Sequence, residues 1–76
     1  MNSLNYINCQ LSVIPESIGN LKFLRLLDLR ENQLTSLPST ILKLKNLDKL
    51  DLRLNHHFKR PDWFNELEER SCTIFY

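Results

Sequence analysis

Residues 24–46 read LRLLDLRENQLTSLPSTILKLKN, and the spacing of their apolar residues decides the fold. The series is Leu24-x-x-Leu27-x-Leu29-x-x-Asn32-x-Leu34-x-x-Leu37-Pro38-x-x-Ile41-x-x-Leu44. A step of 23 residues forward gives Leu47, Leu50, Leu52 and Asn55, and a step of 23 backward gives Met1, Leu4, Tyr6, Cys9, Leu11, Ile14, Pro15, Ile18 and Leu21. Self-similarity at a fixed period of this length is typical of repeat architectures. We therefore predict one domain over residues 1–76, with units at 1–23, 24–46 and 47–69 and a C-terminal cap at about 57–76.

Each unit combines the periodicities of a strand and of a short helix. Leu27-x-Leu29 alternates as a β-strand does when one face points inward. Pro38-x-x-Ile41-x-x-Leu44 has the three-residue spacing of a short helical turn, and proline suits the first helical position. One unit cannot bury its apolar side alone, so stacked units share a continuous core and their strands form a parallel sheet.

The series resembles the leucine-rich repeat family, and the resemblance covers nearly the whole chain. The 23-residue period with Leu37-Pro38 is similar to the intracellular Ras-suppressor-like class and to short bacterial repeat proteins. The resemblance implies an α/β solenoid: a right-handed superhelix with a parallel concave sheet and short helical or 3-10 segments on the convex side. It also implies a protein-interaction module that binds through the concave face, or a fragment or subunit of a larger regulatory or effector repeat protein.

Asn32 and Asn55 lie at the turns that follow the predicted strands of the second and third units. In the family that the chain resembles, this amide bonds the backbone of neighbouring turns and forms a ladder. A buried turn needs such partners because its backbone polar groups are removed from water. Cys9 occupies the same column, where cysteine is the usual substitute, so we expect a buried structural thiol rather than a redox or metal thiol.

The candidate binding residues lie between the inward leucines, on the predicted concave face. Arg30 and Arg53 are able to hold carboxylates through two hydrogen bonds each. A self-neutralising face of salt bridges is the alternative, and the apolar residues of the set favour binding. The predicted face consists of Leu26, Asp28, Arg30, Glu31, Lys49, Asp51, Arg53 and Leu54.

The third unit departs from the apolar pattern, as the terminal unit of a stack must. His57 stands where Leu34 would repeat, and Arg60 stands where Leu37 would repeat. Residues 62–70 predict a fuller helix, with Trp63 packed over the end of the stack. Residues 72–76 favour a fourth parallel strand, in which the period aligns Thr73 with Leu50 and Phe75 with Leu52, although Ile74 competes for the inward position.

The first unit shows no capping helix or hairpin, and no polar substitutions like those of the third unit, at its outer edge. Leu4, Tyr6 and Leu11 would expose one flank to water. We expect either that this edge pairs with another chain, most simply as a homodimer, or that the sequence is part of a longer solenoid.

Composition excludes several classes of protein. The chain has 76 residues, 10 Lys plus Arg, 9 Asp plus Glu and a formal net charge of +1, which argues against a nucleic-acid partner. Its 42% hydrophobic content argues against disorder. It contains no apolar run long enough to span a membrane and no signal-peptide pattern, so we expect no membrane partner and a cytoplasmic location, with delivery as a secreted effector left open.

The residues also argue against an enzyme. Three stacked units predict a shallow sheet without a cleft. Asp28 beside Asp51, the one carboxylate pair, is expected to face open solvent, flanked by arginines that keep both pKa values low. His56 and His57, even with Cys72, do not complete the spacing of a four-ligand zinc site. We expect no catalytic residue, no metal and no cofactor.

Overall fold

Four short parallel strands form one sheet in the computed structural model, which describes residues 2–76. They are β1 (Ser3–Asn5), β2 (Leu26–Asp28), β3 (Lys49–Asp51) and β4 (Thr73–Phe75), and they lie side by side in chain order. This topology is the solenoid that the repeat predicts. Met1, which the repeat places in the column of Leu24 and Leu47, lies outside the described residues.

The register of the sheet stacks equivalent residues of successive units. Leu4 lies beside Leu27, Leu27 beside Leu50, and Leu50 beside Ile74. Leu27 and Leu50 are completely buried because each has a neighbour on both sides. Nine apolar residues of the second and third units, which the repeat predicts to point inward, all lie in one apolar core: Leu27, Leu29, Leu34, Leu37, Ile41, Leu44, Leu50, Leu52 and Phe64.

The first two units return along the convex side through 3-10 helices, at Glu16–Asn20 and Ser39–Lys43. Pro15 and Pro38 have extended backbones and lie at the N-caps, one residue before the first helical position that the sequence predicts for them. The two helices touch at Gly19, where an added Cβ would lie 2.5 Å from the carbonyl oxygen of Thr40. Glycine is therefore the residue that lets the second turn of the solenoid approach the first.

The third unit returns through α1 (Phe64–Glu69), a true α-helix. It begins two residues later than predicted, because Asp62 and Trp63 form a turn before it. Trp63 is half-buried, and its ring meets the ring of Phe64 edge-on at 4.9 Å between centroids. Packing of Trp63 over the end of the core is thus confirmed.

The register of β4 corrects the alignment that the 23-residue period predicts. Thr73 pairs with Lys49, Ile74 with Leu50 and Phe75 with Asp51, so Ile74 takes the inward position and Phe75 lies on the concave face. The strand starts are 23 residues apart in the first two units, and the third needs one residue more. An α-helix advances about 1.5 Å per residue and a 3-10 helix about 2.0 Å, so α1 uses more residues to cover the same side.

The predicted asparagine ladder joins the turns that follow the strands. The Asn32 amide accepts from the N–H groups of Cys9 and Leu11, both at 3.0 Å, and donates to the carbonyl of Tyr6 at 2.8 Å. Asn55 accepts from Leu34 N–H at 3.0 Å and donates to the Leu29 carbonyl at 2.9 Å. Each asparagine therefore bonds the backbone of the preceding unit as well as its own.

Cys9 occupies the ladder column, but the prediction of a buried thiol there is wrong. Its side chain is exposed, and its Sγ lies 3.6 Å from the Ile7 carbonyl of its own turn. The physical reason is its place in the first unit, because residues 2–76 contain no earlier turn for a ladder side chain to bond. Cys9 contributes a backbone N–H to the Asn32 amide instead.

Candidate functional site

The concave face of the sheet carries the predicted binding residues in columns. Leu26 pairs with Lys49 in one column and Asp28 with Asp51 in the next, as the repeat predicts. Leu26 and Lys49 are half-buried. Phe75 ends the second column and was missed as a site residue, since a strict 23-residue period turns it inward.

Asp28 and Asp51 are buried on this face, although the sequence suggests a carboxylate pair open to solvent. Asp51 is only 2% exposed. Its Oδ1 accepts from the Arg53 backbone N–H at 3.2 Å and from Arg53 Nε at 3.0 Å. Its Oδ2 accepts from Arg53 Nη2 at 2.7 Å, so the guanidinium both pairs with the carboxylate and covers it.

Asp28 and Arg30 repeat this arrangement one unit earlier. Asp28 Oδ1 accepts from the Arg30 backbone N–H at 3.2 Å, and Oδ2 accepts from Arg30 Nη2 at 2.8 Å. Asn5 makes the same turn contact with the Ile7 N–H at 3.1 Å. The column residue therefore closes the turn two residues ahead in all three units, and the two aspartates also hold arginines in place.

The two ion pairs are coupled across the strands. Arg30 Nε lies 3.6 Å from Asp51 Oδ2, so this guanidinium bridges both carboxylates. The Arg53 guanidinium carbon lies 5.0 Å from the centre of the Phe75 ring, and Lys49 Nζ lies 5.1 Å from it. Phe75 thus supports two cations on the concave face, an arrangement that is favourable because of the ring's quadrupole.

The electrostatics of the pairs fix their charges. Hydrogen bonding from the Arg30 side chain lowers the pKa of Asp28 below 3.8. Burial on its own raises the pKa of Asp51, but the hydrogen bonds and charge of Arg53, with the charge of Arg30, outweigh it and lower the pKa. The Asp28 hydrogen bond raises the pKa of Arg30. Carboxylates held ionised in this way cannot serve as general acids near neutral pH.

Glu31 and Leu54, the last residues of the predicted set, share a backbone conformation. Their φ angles are 59° and 66°, and Asn8 at the same position of the first unit has 55°. Leu54 is 56% exposed. It lines a concave hollow of about 420 Å³ with Arg30, Glu31, Arg53 and Tyr76. The structure thus brings the arginines, Glu31 and Leu54 to one hollow, with Leu26 and Lys49 on the adjoining strands.

The C-terminal end of the stack closes through polar contacts. His57 and Arg60 are exposed in the columns where the preceding unit carries the buried Leu34 and Leu37. Arg60 Nε donates to the Tyr76 hydroxyl at 2.8 Å, and Arg60 Nη2 donates to Glu68 Oε1 at 2.8 Å. The Arg60 guanidinium also lies 5.9 Å from the centre of the Phe64 ring. The arginine at position 60, where the preceding unit has Leu37, therefore places a guanidinium group over the ring of the buried Phe64.

The N-terminal end of the stack is apolar. An open groove of about 420 Å³ runs along the first unit, and the outer edge of β1 has no strand partner among residues 2–76. Val13 on this groove is 73% exposed and Tyr6 is 38% exposed. The groove is lined by Leu4, Tyr6, Leu11, Val13, Ile14, Pro15, Ser17, Ile18 and Leu21.

A thiol site, a metal site or a membrane span would depend on the two cysteines, the metal-ligating side chains and the helices. Cys9 and Cys72 are free thiols, and burial, with the nearby charges of Asp48 and Glu68, raises the pKa of Cys72 to about 11. Residues 2–76 contain no group of three or more His, Cys, Asp or Glu side chains placed to hold a metal ion. Over the same residues, no helix has the length and apolar character needed to cross a membrane.

Comparisons with known proteins agree with the fold. A family described as a leucine-rich repeat region matches residues 1–69. A solved structure of a leucine-rich repeat protein from Leptospira interrogans is 38% identical, with a TM-score of 0.73. The match covers 88% of this chain and 17% of that protein, so the chain spans about a sixth of its length. No curated protein matches the chain.

The family match takes in all three units and both asparagines of the ladder, and the TM-score of 0.73 shows that the solved structure shares the fold. Leucine-rich repeats generally mediate contacts between proteins and are typically not enzymes. The chain belongs to the leucine-rich repeat family.

Proposed function

We propose that this chain binds another protein through the concave face of its sheet. The observation that carries the proposal is the pair of arginines that buried aspartates hold in place at the surface. The side chains of Arg30 and Arg53 remain 36% and 49% exposed while their carboxylate partners are almost covered. Cations fixed in this way lose little conformational entropy when a partner carboxylate binds.

Apolar groups beside the arginines favour a protein partner. Leu26, Leu54 and Phe75 surround the charged columns, and all three have exposed surface. Interfaces between proteins combine such apolar contact area with arginine and aromatic side chains.

The test compares wild type with a variant whose concave face is neutral. Each is used to capture partner proteins from an extract of the source organism. Exchange of the arginines for glutamate is unsuitable, because it leaves Asp28 and Asp51 buried beside new negative charges. The combination of Asp28→Asn, Asp51→Asn, Arg30→Gln and Arg53→Gln removes both signs together. Asn5 shows that asparagine closes the same turn, so we expect the fold to persist.

Wild type should capture a discrete protein that the neutral variant does not. The control is Lys22→Gln with Lys43→Gln and Lys45→Gln, which changes exposed charges around a separate hollow on the convex side. Capture that survives in the neutral variant and fails in the lysine variant moves the binding site to the convex side.

We also propose a second contact, a homodimer through the first unit. The apolar groove and the unpaired edge of β1 support it, because an edge strand presents free N–H and C=O groups beside apolar surface. A two-fold axis places identical edges against one another without a further chain.

A further inference from the structure

Leu54 combines two unfavourable features at one surface position. Its backbone lies in the left-handed region, with φ of 66°, and its side chain is 56% exposed. The same position of the repeat is filled by Asn8 and Glu31, with φ of 55° and 59°. The turn therefore imposes the conformation in every unit, while the leucine is particular to the third.

The backbone conformation is costly for leucine. In the left-handed region the Cβ atom crowds the following carbonyl oxygen, and asparagine tolerates this better because its short polar side chain bonds locally. A core position would compensate through burial, but Leu54 lies outside the buried core. Residues held in such conformations cluster at binding sites, where the surrounding structure fixes them for a purpose other than stability.

Leu54 lies where three surface hollows meet. One, of about 420 Å³, is shared with Arg30, Arg53 and Tyr76. A second, of about 350 Å³, is lined by Phe58, Arg60 and Tyr76 among others, and a third of the same size runs past Asn8 and Gln33. An extended segment that crosses the turns of the solenoid would pass over this leucine.

The charges around Leu54 indicate the chemistry of such a segment. The Nη1 atoms of Arg30 and Arg53 form no hydrogen bond with any of residues 2–76, whereas their Nε and Nη2 atoms are committed to the aspartates. These free donors suit a carboxylate. Glu31 is the carboxylate of the same hollow, and it forms no ion pair within the described part of the chain.

We propose that Leu54 is the apolar anchor of the concave face, in contact with a large apolar side chain of an extended partner segment. A carboxylate of that segment, next to the apolar residue, bonds to the free donor of Arg53 or Arg30. This inference rests on the proposed concave binding function and names the chemistry of its partner.

The experiment uses a displayed library of random peptides selected on the wild-type chain. Selected peptides should carry Asp or Glu within two positions of a large apolar residue. A synthetic peptide of the selected sequence is then titrated against Leu54→Asn, which should weaken binding about 30-fold, the loss typical of an interface anchor. Leu54→Asn should also raise the Tm by about 4 °C or more, because asparagine relieves the strain.

The matched control is Phe23→Asn, since Phe23 is 54% exposed, close to the 56% of Leu54, and lines none of the three hollows around Leu54. It should leave peptide affinity unchanged. A lower Tm for Leu54→Asn would give the leucine a structural role and overturn the inference, as would the absence of selected peptides or a selection without the acidic and apolar pair.

The neutral concave variant separates this inference from the proposed function. One outcome is that the peptide binds Leu54→Asn with wild-type affinity but fails to bind the neutral variant. That result would reject Leu54 as the anchor and support binding through the concave face. If the peptide binds both variants as well as wild type, both proposals fail.

Discussion

The two ladder asparagines, Asn32 and Asn55, hydrogen-bond the backbone N–H and C=O groups of neighbouring turns. The Asn32 amide makes five contacts with backbone groups of two units. A side chain at this depth has no access to water that would replace a missing partner, because Asn32 is 6% exposed. The ladder therefore holds the turns in register where the strands end.

Replacement of Asn32 by alanine should lower the free energy of unfolding by about 1–3 kcal/mol, since it leaves buried backbone groups without partners. Urea unfolding followed by circular dichroism measures the change. Asn20→Ala, at the exposed last residue of the first 3-10 helix and outside the ladder, is the control and should unfold like wild type. Equal unfolding midpoints for the two variants would contradict the role given to the ladder.

The paired aspartates predict how stability depends on pH. Hydrogen bonds from Arg30 lower the pKa of Asp28, and Arg53 with Arg30 outweighs burial to lower that of Asp51, both from 3.8. A lowered folded-state pKa contributes stability that is present above pH 3.8 and is lost as the pH falls through the folded value.

The Tm of wild type should therefore fall as the pH is lowered from about 6 to below 3.8. The neutral concave variant lacks both carboxylates, so its Tm should fall less over the same interval. Thermal melts at a series of pH values compare the two slopes, and parallel slopes would show that these pairs do not contribute.

The convex elements pack through a contact that tolerates no added atom. At Gly19 a Cβ would come within 2.8 Å of the Thr40 Cβ and closer still to the Thr40 carbonyl oxygen. Thr40 Oγ1 also donates to the Glu16 carbonyl at 2.7 Å, so the two 3-10 helices are held at this spacing.

Gly19→Ala should therefore destabilise the chain by about 1–3 kcal/mol, because the helices must move apart to admit the methyl group. This result is the reverse of the gain that alanine gives at an unobstructed helical glycine. Ser17→Ala, on the exposed side of the same helix, serves as the control in chemical unfolding. A stabilised Gly19→Ala variant would mean that the helices are not in contact.

The elements also show where sequence reasoning works and where it stops. Equivalent positions of successive units have equivalent surroundings, so the columns of the sheet and the apolar core follow from the 23-residue step. The ladder follows from the resemblance to the leucine-rich repeat family. The end units lack a neighbour, and the rule fails there: Cys9 is exposed, and β4 is displaced by one residue because α1 replaced a 3-10 helix. Burial of Asp51 was missed for another reason, since the Arg53 side chain that covers it folds back onto its own strand.

At the scale of the molecule, the two ends of the stack differ. The C-terminal end is closed by Arg60, Trp63 and α1, whereas the N-terminal groove leaves leucines and the edge of β1 open to solvent. A core of three units is small, so burial of that groove would stabilise the fold appreciably.

We predict self-association through the first unit. Light scattering across a concentration series should show the molar mass rising toward that of a dimer at high micromolar concentration. Tyr6→Lys, which places a charge in the groove, should keep the chain monomeric at the same concentrations. A wild type that remains strictly monomeric would exclude the homodimer.

The one-residue displacement of β4 also determines how this scaffold can be lengthened. Residues 24–46 begin and end in the same register, so an extra copy of them inserted after residue 46 should join the sheet as one more turn. Residues 47–69 lead into a strand that is shifted by one position, and a copy of them would turn its inward residues toward the concave face. The middle unit can thus be duplicated without a change of register, whereas duplication of the last unit would shift the register of the strand that follows it.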